Sequence, residues 1–345
     1  MIRSMKGITC MMNKTKLCRA AAAALCALLL AGCGGAASSA PASSAAAASS
    51  AASAPEQSAA YTFTDDLGRE VTLEAAPQRV AALTGSYADI WCTAGGKDTL
   101  IASASDAWTD FDLGLAEDVA NIGGAMGVSV EELLASAPDL VLASTNISSN
   151  QEMLPTLEAA GIKAAFFSVD TFEDYLRMLE ICTTLTGCPE NYQTYGEAVA
   201  EEIEAARARA AGVLAQQEPE SVLYIRAAAS VVKPKGSNGT VLGEMLADLG
   251  CVNIADQDES LLEDLSMEAI LAADPDKIFI VLQGSDPEPA KVKLEGEVLS
   301  NPAWQQLTAV QEGEVYYMDK DLYHLKPNAR WGEAYDHLVE ILYGV

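Results

Sequence analysis

Chemistry in this chain rests on scarce cations rather than on a catalytic constellation. Two histidines, His324 and His337, serve 345 residues, whereas a site for bare zinc or manganese draws on about three His and a carboxylate. No Gly-x-Ser-x-Gly elbow, HExxH helix or P-loop pattern occurs. Gly236-Ser-Asn-Gly239 lacks the elbow's spacing, and Gly123-Gly-Ala-Met-Gly127 is not a GxGxxG turn. The 49 acids keep a glycosidase-type carboxylate pair open, and with it a hydrolase as the distant alternative. Against those acids stand 21 Lys and Arg. Five of them, Arg226, Lys233, Lys235, Lys326 and Arg330, fall in stretches expected to be loops after predicted strands, where open α/β sheets hold ligands. Cations gathered there in an acidic protein point to an anionic ligand, or to a chelate with carboxylate or catecholate edges. Ser86, Asn146 and Met126 join them as candidates from the first half of the chain. Tyr87, Trp108 and Trp331 are candidate flat walls, each with core packing as its alternative. Trp304 is assigned to packing.

The elements that present these residues alternate between strand and helix. Residues 129–144 read as a capped helix, a Pro-Asp break and a buried strand. Ser129 can accept a first-turn N–H while Glu132 completes a capping box. Pro138 ends the helix, and Asp139-Leu-Val-Leu-Ala is apolar like a strand covered on both faces. The pattern recurs 137 residues on, at 266–281, with Ser, Glu, Leu, Ala, Pro and Asp at six of sixteen matching places. Two such units imply two similar lobes. Residues 61–64 and 70–73 read as a hairpin around Asp65-Asp-Leu-Gly-Arg69. Predicted strands at 79–84, 100–104, 139–144 and 163–169, with helices between them, make a parallel sheet with right-handed crossovers. A second set falls at 221–226, 277–281 and 314–318. The fold class is therefore α/β, with an N-terminal lobe at 61–188, a long linking helix at 189–217 and a C-terminal lobe at 218–345.

The first sixty residues belong to neither lobe. Lys14, Lys16 and Arg19 precede an apolar run at 20–31 that is short for a bilayer span and suits a signal h-region, whether translation starts at Met1 or Met12. It ends in Leu30-Ala31-Gly32-Cys33, which resembles the lipobox of bacterial lipoproteins and would make Cys33 the lipidated first residue. Residues 34–60 are almost all Ala, Ser and Pro and read as a flexible tether. The leader carries five positive charges and no acid, so its removal takes the net charge from −28 to −33. A polyanion such as nucleic acid is repelled by that field. Of eight cysteines, Cys92, Cys182, Cys188 and Cys251 remain beyond Cys33, widely spaced, and read as free thiols with a Cys182–Cys188 pair as the alternative.

Together these features carry a family resemblance. The chain resembles the lipid-anchored substrate-binding proteins of ABC importers for ferric siderophores, haem and cobalamin. Its carriers are Asp66-Leu-Gly-Arg69, Pro77-Gln-Arg-Val80, Ile122-Gly-Gly with Pro138-Asp-Leu-Val141, Gly250-Cys-Val-Asn-Ile254, Asn301-Pro-Ala-Trp-Gln305 and Gly313-Glu-Val-Tyr-Tyr317. The resemblance implies two Rossmann-like lobes with mainly parallel sheets, joined by a rigid helix, with ligand in the cleft between them. It implies capture without catalysis, no cofactor, and a monomer held on the extracytoplasmic face of a bacterial membrane. Permease and ATPase subunits would be its partners. One surface Glu per lobe would dock onto the permease, and Glu131 and Glu268 match those acids. Without the resemblance, both read as acids favouring the positive end of a helix dipole. A ferric siderophore is the leading ligand, with haem or a corrinoid as alternatives. No residue is expected to bind metal directly unless the ligand is haem, when Met126 would match an axial ligand and His324 would be the partner in place of the usual opposing His.

Overall fold

The computed structural model describes residues 60–263 and 265–345; the leader with Cys33 and all but the last residue of the tether lie outside the described residues. Strand β1 (Tyr61–Thr64) pairs antiparallel with β2 (Glu70–Leu73). Asp65 closes their turn, accepting from the Leu67 and Arg69 N–H groups and pairing with the Arg69 guanidinium at 2.6 Å.

Two five-stranded sheets follow. The first holds β3 (Val80–Ala82), β4 (Leu100–Ser103), β5 (Ala120–Asn121), β6 (Leu140–Ser144) and β7 (Lys163–Phe167), all parallel, in the order β5-β4-β3-β6-β7. Strands β3 and β6 are buried at every residue, as unbroken apolar strands covered on both faces should be. The second holds β8 (Ser221–Ala227), β9 (Val232–Lys235), β10 (Val252–Asn253), β11 (Lys277–Leu282) and β12 (Val315–Met318). Its parallel order is β10-β8-β11-β12, with β9 folded back antiparallel on β8.

The repeated unit is built the same way twice. Ser129 Oγ accepts from the Glu132 N–H at 3.2 Å and Ser266 Oγ from the Ala269 N–H at 3.3 Å. The reciprocal half of the expected capping box is not made, because the Ser129 N–H donates to the Ile122 carbonyl at 2.7 Å. Just before each proline a non-glycine residue turns left-handed, Ala137 at φ 49° and Asp274 at φ 40°. Each following Asp then holds the head of the neighbouring strand. Asp139 accepts from the Gln78 and Arg79 N–H groups, and Asp276 from the Ser221 N–H at 2.8 Å.

The lobes are joined by a helical strut running through Pro189–Tyr192, a π-helical turn at Gln193–Glu197, and Ala198–Leu214. The last helix, Trp331–Tyr343, is tied to it through Arg209 and Asp336, and through Asp248, which accepts from both Arg207 and Tyr335 at 2.7 Å. One large apolar core serves both sheets and the strut, with Tyr87, Phe167, Tyr175, Ile203, Tyr224 and Trp331 among its members. A smaller core covers the outer face of each sheet, around Val141 and Phe166 in one lobe and around Ile280 and Trp304 in the other. The four described cysteines are free thiols, Cys182 and Cys188 included.

Candidate ligand-binding site

Three cations share one face of the β8–β9 hairpin. The chain turns back where the Ala228 N–H donates to the Val231 carbonyl at 2.8 Å. The register sets Arg226 opposite Lys233 and Tyr224 opposite Lys235. Side chains two apart on a strand point the same way, so all four project together. The Arg226 guanidinium lies 5.8 Å from the Tyr224 ring centre and its Nε donates to the Tyr224 hydroxyl at 3.3 Å. Like charges directly opposite each other weaken an antiparallel pair, so folding alone does not favour this arrangement. Burial, then Arg226 and Lys233, push the Lys235 ammonium below its ordinary range. Among the described residues ten of the sixteen Lys and Arg pair with an acid, but Arg226, Lys233 and Lys235 do not. Lys233 and Lys235, expected in a loop, stand on strand β9, while Arg226 stands on β8 at the end of the strand predicted at 221–226.

Beside the hairpin lies His324. The Gln283 N–H donates to the Ala227 carbonyl at 2.8 Å, and Gln283 Nε2 donates to His324 Nε2 at 2.8 Å. Burial, then Arg226, Lys326, Lys320 and Lys235, push the imidazole down to about 3, so it is neutral at physiological pH. Its Nδ1 is buried without a partner.

Across the cleft the first lobe answers with acids. Lys326 pairs with Asp170 at 2.8 Å and Lys320 with Asp110 at 2.5 Å. Burial alone would raise the Asp170 carboxyl, yet Lys326 together with bonds from Asn146 and Ser168 holds it below the usual range. Asn328 donates from Nδ2 to the Ser86 carbonyl at 2.9 Å and to Asp89 Oδ2 at 2.7 Å. A cavity of about 170 Å³ lies between Asp89, Asp110 and Phe111 on one side and Asp321, Lys326, Pro327 and Arg330 on the other. It is smaller than the ~300 Å³ at which small-molecule pockets begin. The β8–β9 hairpin contributes none of the residues that line it.

Several expected ligand residues are placed elsewhere. Tyr87 is 1 % exposed, with its hydroxyl donating to the Phe167 carbonyl at 2.7 Å, and Trp331 is fully buried against Phe172 and Tyr335. Both are core residues and neither forms a wall of the cleft. Ser86 is buried beside Thr84, 3.1 Å away. Arg330 is bound to Glu333 one turn on at 2.8 Å. Asn146 is spent on Asp170 and Ser168. Trp108 is half-buried against the main core. Met126, 77 % exposed, projects from the glycine-rich loop after β5. Tyr224, Lys320, Asp110 and Asp170 were not singled out from the sequence. Only the dense Asp319-Lys-Asp321 charge cluster after β12 hinted at any of them.

Glu131 and Glu268 are exposed second residues of helices Val130–Ala135 and Met267–Ala273. Among the described residues neither makes a side-chain hydrogen bond or ion pair.

Two lobes of parallel sheet joined by a helical strut, with an unpaired cationic face on the second, are an architecture suited to holding a small solute. The chain belongs to the periplasmic binding protein family, whose model matches residues 80–322. It is 24 % identical over 284 residues to an uncharacterized ABC transporter substrate-binding lipoprotein, YvrC, of Bacillus subtilis, covering 82 % of this chain and 85 % of that one. It is also 24 % identical over 266 residues to the Fe(3+)-citrate-binding protein YfmC of the same organism, covering 74 % and 78 %. Among solved structures, the periplasmic heme-binding protein RhuT from Roseiflexus sp. RS-1 superposes with a TM-score of 0.63 at 23 % identity, covering 77 % of this chain and 98 % of that one. The resemblance read from the sequence holds at the level of family and fold.

Proposed function

We propose that this protein captures a ferric chelate with an anionic edge, a siderophore of carboxylate or catecholate type, and delivers it to an ABC import permease. The unpaired trio Arg226, Lys233 and Lys235 carries this reading. An anion seated on that face relieves the repulsion between opposed cations and gains charge-assisted hydrogen bonds. The likeness to an iron-citrate-binding protein points the same way. Titrating the protein with ferric citrate, haemin and cyanocobalamin, with Trp fluorescence as the readout, tests it. Binding of cyanocobalamin or haemin without any ferric chelate would overturn it.

One observation favours haem as the second reading. Met126 stands 77 % exposed in the first lobe, and His324 keeps a neutral imidazole in the second. A Soret band that shifts on binding and is lost in Met126→Ala would replace the siderophore reading with this one.

Delivery completes the proposal. Cys33 carries the lipid and residues 34–60 the reach, so that a monomer works at the outer face of the membrane. Glu131 and Glu268 dock onto the permease, one from each copy of the repeated unit. Their shared position, exposure and lack of partners support this role.

A further inference from the structure

Two lysines bordering the cationic hairpin are already neutralised, and by acids of the opposite lobe. Lys320 and Lys326 flank His324, which reaches the hairpin through Gln283 and Ala227, the neighbour of Arg226. Asp110 pairs with the first and Asp170 with the second. Neither acid meets a cation of its own lobe among the described residues. Asp170 is held for the purpose, since its Oδ2 accepts from Asn146 at 3.0 Å and from the Ser168 hydroxyl at 3.2 Å while Oδ1 faces Lys326. All four side chains are at most a quarter exposed, so the pairs are only partly screened by solvent.

We propose that Asp110 and Asp170 are specificity-determining residues: built-in counter-anions that cancel Lys320 and Lys326 and leave only Arg226, Lys233 and Lys235 uncompensated before the ligand. The protein thereby favours a chelate with few negative charges on its docking edge over a more heavily charged one. This rests on the anionic-chelate reading above and adds a limit to it.

The test compares ferric citrate with an uncharged ferric trihydroxamate on the full-length protein. Asp170→Asn and Asp110→Asn should each tighten ferric citrate about tenfold relative to the trihydroxamate, since one cation is released near the anion. The gain should fade as salt is added. Asp170→Glu, which keeps the charge, should keep the wild-type ratio. Equal weakening of both probes would mean that the pairs only latch the lobes, and would overturn the proposal. A second readout needs no ligand: amine acylation followed by mass spectrometry should show Lys326 more reactive in Asp170→Asn and Lys320 more reactive in Asp110→Asn, with Lys233 unchanged. If the wild type binds neither probe, the chelate reading fails. The labelling then decides the counter-anion role, and unchanged reactivity of both lysines sinks it.

Discussion

Arg226 does more for a bound anion than for the fold. It faces Lys233 across the hairpin and has no acid to answer it. Replacing it by Ala should weaken ferric citrate by about ten- to a hundredfold, the loss of one charge-assisted hydrogen bond. The melting temperature should stay level or rise, because a like-charge pair is removed. A fall in melting temperature with affinity intact would refute this division of labour. His324 makes the opposite bargain with solvent. Burial, then the surrounding cations, hold it at about 3 in the fold against an ordinary 6.5. The unfolded chain binds the extra proton between those values. Its stabilising contribution is therefore complete above about pH 6.5 and lost as pH falls toward 3. His324→Gln should flatten the acid limb of unfolding free energy against pH over that window, and an unchanged slope would count against it.

At the scale of elements, close approach and capping decide what can change. A Cβ on Gly85 would stand 2.6 Å from the Ala107 nitrogen and 2.8 Å from the Phe111 ring, so the helix Gly85–Trp91 can only meet the turn at Asp106–Thr109 through glycine. Gly85→Ala should cost about 1–3 kcal/mol in chemical denaturation. Ser129→Ala and Ser266→Ala should each cost about 1 kcal/mol. The repeated unit was legible because cap, proline and aspartate are local signals, each sufficient for its own turn. Strand β9 was not. Pro234 between Lys233 and Lys235 argues against a strand, and it is tolerated here because β9 pairs with β8 alone. The two-residue β5 and β10 show too little periodicity to register. The cations of the site were legible through scarcity, whereas Tyr87 and Trp331 misled. An aromatic ring near a strand end looks the same in sequence whether it faces a cleft or, like Tyr87 on the Phe167 carbonyl, turns inward to a backbone partner. Asp110 and Asp170 were hidden among 49 acids until the fold set them against lysines more than 150 residues away.

The molecule as a whole presents Glu131 and Glu268 as a matched pair. Charge reversal at both, Glu131→Arg with Glu268→Arg, should abolish transport in cells while ligand affinity and melting temperature hold. Loss of affinity would remove the docking role. A further consequence lies in the helix Trp331–Tyr343. It supplies Trp331, Leu338 and Leu342 to the core that both sheets and the strut share. Each sheet can pair its strands from segments made earlier, but the core that unites them is incomplete until this helix is added. A chain cut short before Trp331 should therefore keep both sets of strands yet lose cooperative unfolding, which chemical denaturation would show.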